Sequence, residues 1–210
     1  MLFDISMVLQ PGMLVWPGDP NVSFDNVCSM ARGDECNVTR VSLGVHSGTH
    51  VDAPKHFIDD GIGVADMSLD LFVGPCAVME ISDTSEITAR HLQTLVPEGV
   101  ERLLLRTDNS QRMLRSDAFD KSFVSLSKDA AMWICQRGIR LVGIDYLSVE
   151  SFHCPPGNPV HRILLEGNVA LLEGLVLAHV PAGQYELFAA PVKLSGADGA
   201  PCRAVLRTVD

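Results

Sequence analysis

Basic residues are scarce in this 210-residue sequence, where 16 Lys and Arg stand against 26 Asp and Glu for a formal net charge of −10. That balance argues against nucleic acid as a partner, since its phosphates need a basic footprint, and against anionic membrane surfaces. No apolar run approaches the ~20 residues of a membrane span. Met1 to Gln10 lacks the basic start and small-residue cleavage site of a secretory leader. The six cysteines, at 28, 36, 76, 135, 154 and 202, include no Cys-x-x-Cys pair, so neither a zinc knuckle nor a redox motif is indicated. The expectation is a soluble cytoplasmic protein with reduced thiols. There is no internal repeat, and with 47% hydrophobic and 20% charged residues nothing favours disorder. Length and composition fit one domain, residues 1–210, with a sizeable core.

What is present is concentrated in twelve residues, His46 to Phe57, reading His-Ser-Gly-Thr-His-Val-Asp-Ala-Pro-Lys-His-Phe. Val41, Leu43 and Val45 alternate with Ser42 and Gly44, which predicts a strand entering the motif. If the extended geometry continues, His46, Gly48, His50 and Asp52 share one face, with Gly48 leaving room on it. Imidazole nitrogen and carboxylate oxygen together suit Zn²⁺, Mn²⁺ or Fe²⁺. A helix would also align His46 with His50, but Gly48, Thr49, Val51 and Pro54 oppose one. His56 has the same parity yet lies beyond Pro54, which ends ladder pairing, so it is better placed to act beside a metal than to bind it. The alternative is a polar network at a sheet edge, in which the fold must satisfy four clustered polar side chains without a cation.

The rest of the chain reads as strand-rich α/β. Strands are expected at Leu2–Leu9, Gly74–Ile81, Arg102–Arg106, Arg140–Ile144, Val169–Leu175, Tyr185–Val192 and Cys202–Arg207. Helices are expected at Thr88–Leu95, capped by Thr88, at Ser127–Gln136, capped by Ser127, and at Val160–Glu166 after Pro159. Thr107 to Phe123 reads as a surface excursion. Trp16, followed directly by Pro17-Gly18 and Asp19-Pro20, is presented from a stiff loop. It could form a flat wall for a planar substrate or pin the N-terminal loop to the core. Glu173 stands alone among Val169, Leu171, Leu172 and Leu175, and burial there requires a metal, a proton or a basic partner.

Beyond these local readings, the His46–Phe57 motif closely resembles the signature of the cyclase family of metal-dependent hydrolases, whose best-defined members are bacterial kynurenine formamidases. The likeness extends to Val15–Asp19, Leu104–Thr107, Gly143–Asp145, Leu171–Leu175, Tyr185–Leu187 and Arg203–Arg207. The resemblance implies a swivelling β/β/α fold with a mixed sheet. It implies that His46, His50 and Asp52 bind one divalent metal, that His161 binds a second, and that Asp52 and Glu173 bridge the two. His56 becomes the proton donor and acceptor, and Trp16 lines the substrate pocket. The resemblance further implies one or two Zn²⁺ ions, with Mn²⁺ as the alternative, and a homodimer or larger assembly.

The chemistry implied is hydrolysis of an aryl formamide such as N-formylkynurenine. A divalent ion lowers the pKa of bound water towards ~7 and polarises the carbonyl, while a histidine near its ordinary pKa of ~6.5 can move the proton to the leaving nitrogen. Ring-opening of a cyclic amide or lactone, as by isatin hydrolase, uses the same parts. A departure at Asp145–Glu150 from the Asp-Thr-Pro-Ser type of segment bears on which substrate is used. A catalytically silent metal-binding protein is a further alternative, although His56 is present.

Overall fold

The computed structural model describes residues 1–115 and 118–209. Its strands are β1 (Leu2–Asp4), β2 (Ser23–Cys28), β3 (Val38–Ser42), β4 (His50–Asp52), β5 (Val73–Glu80), β6 (Glu86–Ile87), β7 (Arg102–Arg106), β8 (Ser125–Leu126), β9 (Leu141–Ile144), β10 (Ala170–Glu173), β11 (Gly183–Phe188), β12 (Gly199–Pro201) and β13 (Val205–Thr208). Its α-helices are α1 (Ala89–Leu95), α2 (Asn109–Arg115), α3 (Lys128–Gln136) and α4 (Pro159–Glu166).

The unbroken apolar runs of the sequence become strands buried on both faces, as a covered parallel sheet requires. Among the described residues, nine strands form one mixed sheet in the order β1-β13-β11-β5-β7-β9-β10-β4-β12. Its centre, β5-β7-β9-β10, is parallel, and antiparallel pairs flank it. Leu103 and Leu105 face one core cluster and Leu104 the other, and Leu171 and Leu172 divide in the same way. The cluster of Leu103 takes in Leu92 of α1, Ile134 of α3 and Leu164 of α4, so these helices cover that face. Phe72, Leu187 and Leu206 join the cluster on the other face. This is the mixed-sheet α/β architecture expected. No helix of the described residues is long and apolar enough to cross a membrane.

The helix starts follow local chemistry. The backbone N–H of Thr88 donates to His91 Nδ1 at 3.1 Å, and Ser127 Oγ accepts from the Ala130 N–H at 3.2 Å. Pro159 opens α4, where a missing N–H leaves no carbonyl unpaired.

Four sequence expectations are corrected. The first strand ends at Asp4 rather than Leu9, because Ser6 crosses to Leu175 and the Met7 N–H turns to donate to Thr49 Oγ1 at 2.8 Å. The strand entering the histidine motif stops at Ser42, since β3 pairs with β2 in a separate, exposed hairpin. Thr107 to Phe123 is not simply a surface excursion. It contains α2, whose Asn109 and Ser110 are buried. Asn109 exchanges bonds with the Val124 backbone, donating to its carbonyl at 2.8 Å and accepting from its N–H at 2.7 Å, while Asp145 accepts from the Thr107 N–H and Oγ1, both at 2.7 Å, and from the Ser110 N–H and Oγ at 3.1 and 2.8 Å. Burial nonetheless pushes the Asp145 carboxyl up to about 6. The C-terminal strands also shift, to Gly183–Phe188 and Val205–Thr208, with Gly199–Pro201 as an additional edge strand.

Candidate metal centre

Register assembles the centre. Across β4 and β10, His50 pairs with Glu173 and Asp52 with Leu171, so His50, Asp52 and Glu173 share a face. All three are buried. His46 reaches them from the turn before β4, and here the geometry departs from a continuous strand. Gly48 has φ +68°, which reverses the chain, and its carbonyl takes the His50 ring. The glycine therefore serves the turn rather than leaving space for a cation.

The five residues expected as ligands come together. His46 Nδ1 lies 2.8 Å from Asp52 Oδ1, and His50 Nε2 lies 3.4 Å from that oxygen and 3.3 Å from Glu173 Oε2. His161, carried by α4, places Nε2 3.8 Å from Asp52 Oδ2 and 3.5 Å from Glu173 Oε1. Two carboxylates thus stand between three imidazoles, with one oxygen of each turned to the His46–His50 side and the other to His161. The outer ring nitrogens are all engaged. His46 Nε2 meets Asp198 Oδ2 at 2.9 Å, His50 Nδ1 meets the Gly48 carbonyl at 2.9 Å, and His161 Nδ1 meets Glu150 Oε2 at 2.7 Å. An N–H donated outward leaves the inward lone pair free for a cation, the usual arrangement of metal-binding histidines.

Burial opposes a charged imidazole, yet the carboxylates outweigh it. The hydrogen bonds of Asp52 and Glu173 raise His50 to about 10, and those of Glu150 and Glu173 raise His161 to about 10. His46 is raised through Asp52 against the same burial. Burial would lift Asp52, but His46 and His50 hold it well below the usual carboxylate range, and His161 and His50 hold Glu173 down against burial and Asp52. Paired buried carboxylates need positive charge, which protons supply in the protein alone and a divalent ion could supply instead. Asp52 Oδ2 is buried without a hydrogen bond among the described residues. That orphaned oxygen and the oxygen-and-nitrogen donor set fit a divalent cation.

His56 stands at the rim in a short 3-10 turn begun by Pro54, its ring 3.9 Å from that of His46 and its Nδ1 3.4 Å from Asp198 Oδ2. Burial lowers its pKa. Its ring nitrogen is also close enough to His46 and Asp52 to share an ion with them. A cavity of about 310 Å³ opens over the centre, with Trp16, Phe57, Leu147 and Phe152 in its walls. Trp16 sits in a position compatible with both readings left open by the sequence. It lines the cavity and is also anchored, edge-on to Phe119 at 5.1 Å and tilted against Phe152 at 5.5 Å.

Sequence reasoning missed Asp198 and Glu150. Asp198 lies in an irregular turn before β12 and is brought beside the motif by the Ala53 N–H bond to its carbonyl, 2.9 Å. No local pattern marks it. Glu150 carries a signal, a carboxylate two residues from Ser148 next to buried Val149, but only α4 reveals its partner.

The cyclase family model matches residues 3–151. The chain belongs to the cyclase family. Kynurenine formamidase of Bacillus cereus is 37% identical over 206 residues, 98% of this chain and 97% of the relative. A solved structure of a predicted metal-dependent hydrolase from Bacillus stearothermophilus superposes with TM-score 0.84 at 32% identity, covering 98% of this chain and 97% of that one. Isatin hydrolase A of Ralstonia solanacearum gives 0.78 at 25% identity, covering 98% and 91%.

This cyclase-family centre depends on one close backbone approach. Gly174, at φ +68°, follows Glu173, and a Cβ there would lie 2.1 Å from the Gly48 carbonyl oxygen. Gly174→Ala is expected to cost about 2 to 4 kcal/mol, through the left-handed backbone and the overpacking together. Urea denaturation tests this, and an unchanged midpoint would show that the two loops can part freely.

Proposed function

We propose that this cyclase-family chain is a metal-dependent amidohydrolase that cleaves an aryl formamide of the N-formylkynurenine type. The observation that carries the reading is the pair of buried carboxylates, Asp52 and Glu173, set between three outward-tethered histidines at the base of an aromatic-walled cavity. Similarity to kynurenine formamidases over nearly the whole chain supports it.

In this reading His46, His50 and Asp52 hold one ion, His161 holds a second, and Asp52 and Glu173 serve both. Zinc suits the imidazole-rich set, and manganese is the alternative. A divalent ion held there supplies a Lewis acid for the carbonyl and a nucleophilic water at neutral pH. The chain's own residues do the rest. His56, kept neutral by burial, takes a proton from the attacking water and returns it to the leaving nitrogen. A C–O bond forms, the C–N bond breaks, and formate and an aryl amine depart. Trp16 and Phe152 flank the aryl ring and exclude water from that side. A cytoplasmic location, a homo-oligomeric assembly and a single domain over residues 1–210 complete the reading.

Ring-opening of a cyclic amide is the second reading, favoured by the flat aromatic walls, which would accept a fused bicycle equally well. Formate release from N-formylkynurenine by metal-loaded protein, run beside isatin and simple lactones, separates the two. Absence of turnover on all of them after metal reconstitution would overturn both.

Trp16→Ala tests the wall. Aromatic contacts are worth about 0.5 to 1.5 kcal/mol beyond area burial, so KM for N-aryl substrates should rise several-fold with a smaller change in kcat. A small aliphatic amide should be affected much less. Equal losses for both, with a lowered melting temperature, would leave Trp16 as an anchor only.

A further inference from the structure

We propose that Glu150 is a positioning residue for His161, fixing both the start of α4 and the ring nitrogen that His161 turns towards Asp52 and Glu173. This rests on the reading of His161 as a ligand. Glu150 is 3% exposed and lies in the segment after β9, away from the histidine motif. Its Oε1 accepts from the Val160 N–H at 2.9 Å, and its Oε2 from the His161 N–H at 3.3 Å and from His161 Nδ1 at 2.7 Å.

Two of those donors are first-turn N–H groups, which no helical carbonyl can satisfy. The N-cap residue, Asn158, makes no side-chain capping bond, so Glu150 supplies the cap from ten residues upstream. The third donor sets the tautomer. In the neutral ring that binding a cation requires, a proton kept on Nδ1 leaves the lone pair of Nε2 facing Asp52 Oδ2 and Glu173 Oε1. The adjoining Val149 N–H donates to Glu173 Oε1 at 2.7 Å, so the same short segment aligns both partners of the His161 side.

Glutamine is nearly isosteric with glutamate but cannot replace it here. If its oxygen faces Nδ1, its NH₂ opposes the Val160 N–H. If its NH₂ faces Nδ1, the ring must move its proton to Nε2, which removes the lone pair from the centre. Either orientation disturbs His161.

The test compares zinc-loaded wild type, Glu150→Gln and His161→Ala by zinc stoichiometry after gel filtration and by competition with a chelator. Glu150→Gln is expected to weaken, by roughly 10- to 100-fold, the same zinc that His161→Ala releases, while zinc held by His46 and His50 remains. Wild-type affinity in Glu150→Gln, beside zinc loss in His161→Ala, overturns the proposal and leaves Glu150 as a helix cap. Full zinc content in His161→Ala overturns the ligand reading and the proposal with it. Should Glu150→Gln not fold, ¹⁵N shifts of the histidines in zinc-loaded wild type decide the matter. An Nδ1–H tautomer at His161 is expected, and an Nε2–H tautomer overturns the proposal.

Discussion

Asp52→Asn should empty the centre and stop turnover. Asp52, like Glu173, faces both sides of the cluster, with Oδ1 towards His46 and His50 and Oδ2 towards His161. Asparagine keeps the shape, loses the charge, and must turn an NH₂ towards one group of imidazole lone pairs. Loss of both carbonyl polarisation and water activation removes about 5 kcal/mol or more, nearly 10⁴-fold in rate. Metal analysis and kcat/KM check this together. Chelated wild type should regain activity with one divalent ion, and the variant should not. A variant with full metal and wild-type turnover would refute the centre as described.

The second large effect separates His56 from the ligands. His56→Ala is expected to keep its metal and lose roughly 10²- to 10⁴-fold in rate, the usual worth of general acid–base catalysis. The separation matters because the structure puts His56 within reach of the ion that His46 and Asp52 would share. Added imidazole, entering the space left by the side chain, should restore part of the rate. If the metal departs with the side chain, His56 is a ligand and another group must carry the proton.

The legible parts of this protein are those whose chemistry is local. Leu103 to Leu105 announce a strand buried on both faces, Ser127 a helix start, and the His46–Phe57 motif a cation site, because each depends on neighbours in sequence. Glu173 was legible as a carboxylate in need of charge. What escaped was long-range. Asp198 stands 152 residues from His46, whose ring it tethers, and nothing in its own turn marks it. Asp145 makes buried structure of Thr107–Ser110, a stretch that polarity alone assigns to the surface. The extended reading holds at Val41–Ser42 and at His50 but fails over residues 43–49, where the chain turns and Gly48 uses a backbone region that an alternating pattern does not encode. His46 nevertheless reaches its partners, brought back by the turn instead of by strand parity.

The walls of the cavity and its base have different origins. His50, Asp52 and Glu173 are fixed by the register of two paired strands, where a one-residue slip of β4 would turn His50 and Asp52 away from Glu173. Trp16, Leu147 and Phe152 project from connecting segments that no ladder constrains. Selection for a new substrate can therefore rework the walls by substitution or insertion without disturbing the base. Divergence within such a lineage would accumulate in the loops while the reactive chemistry is inherited intact.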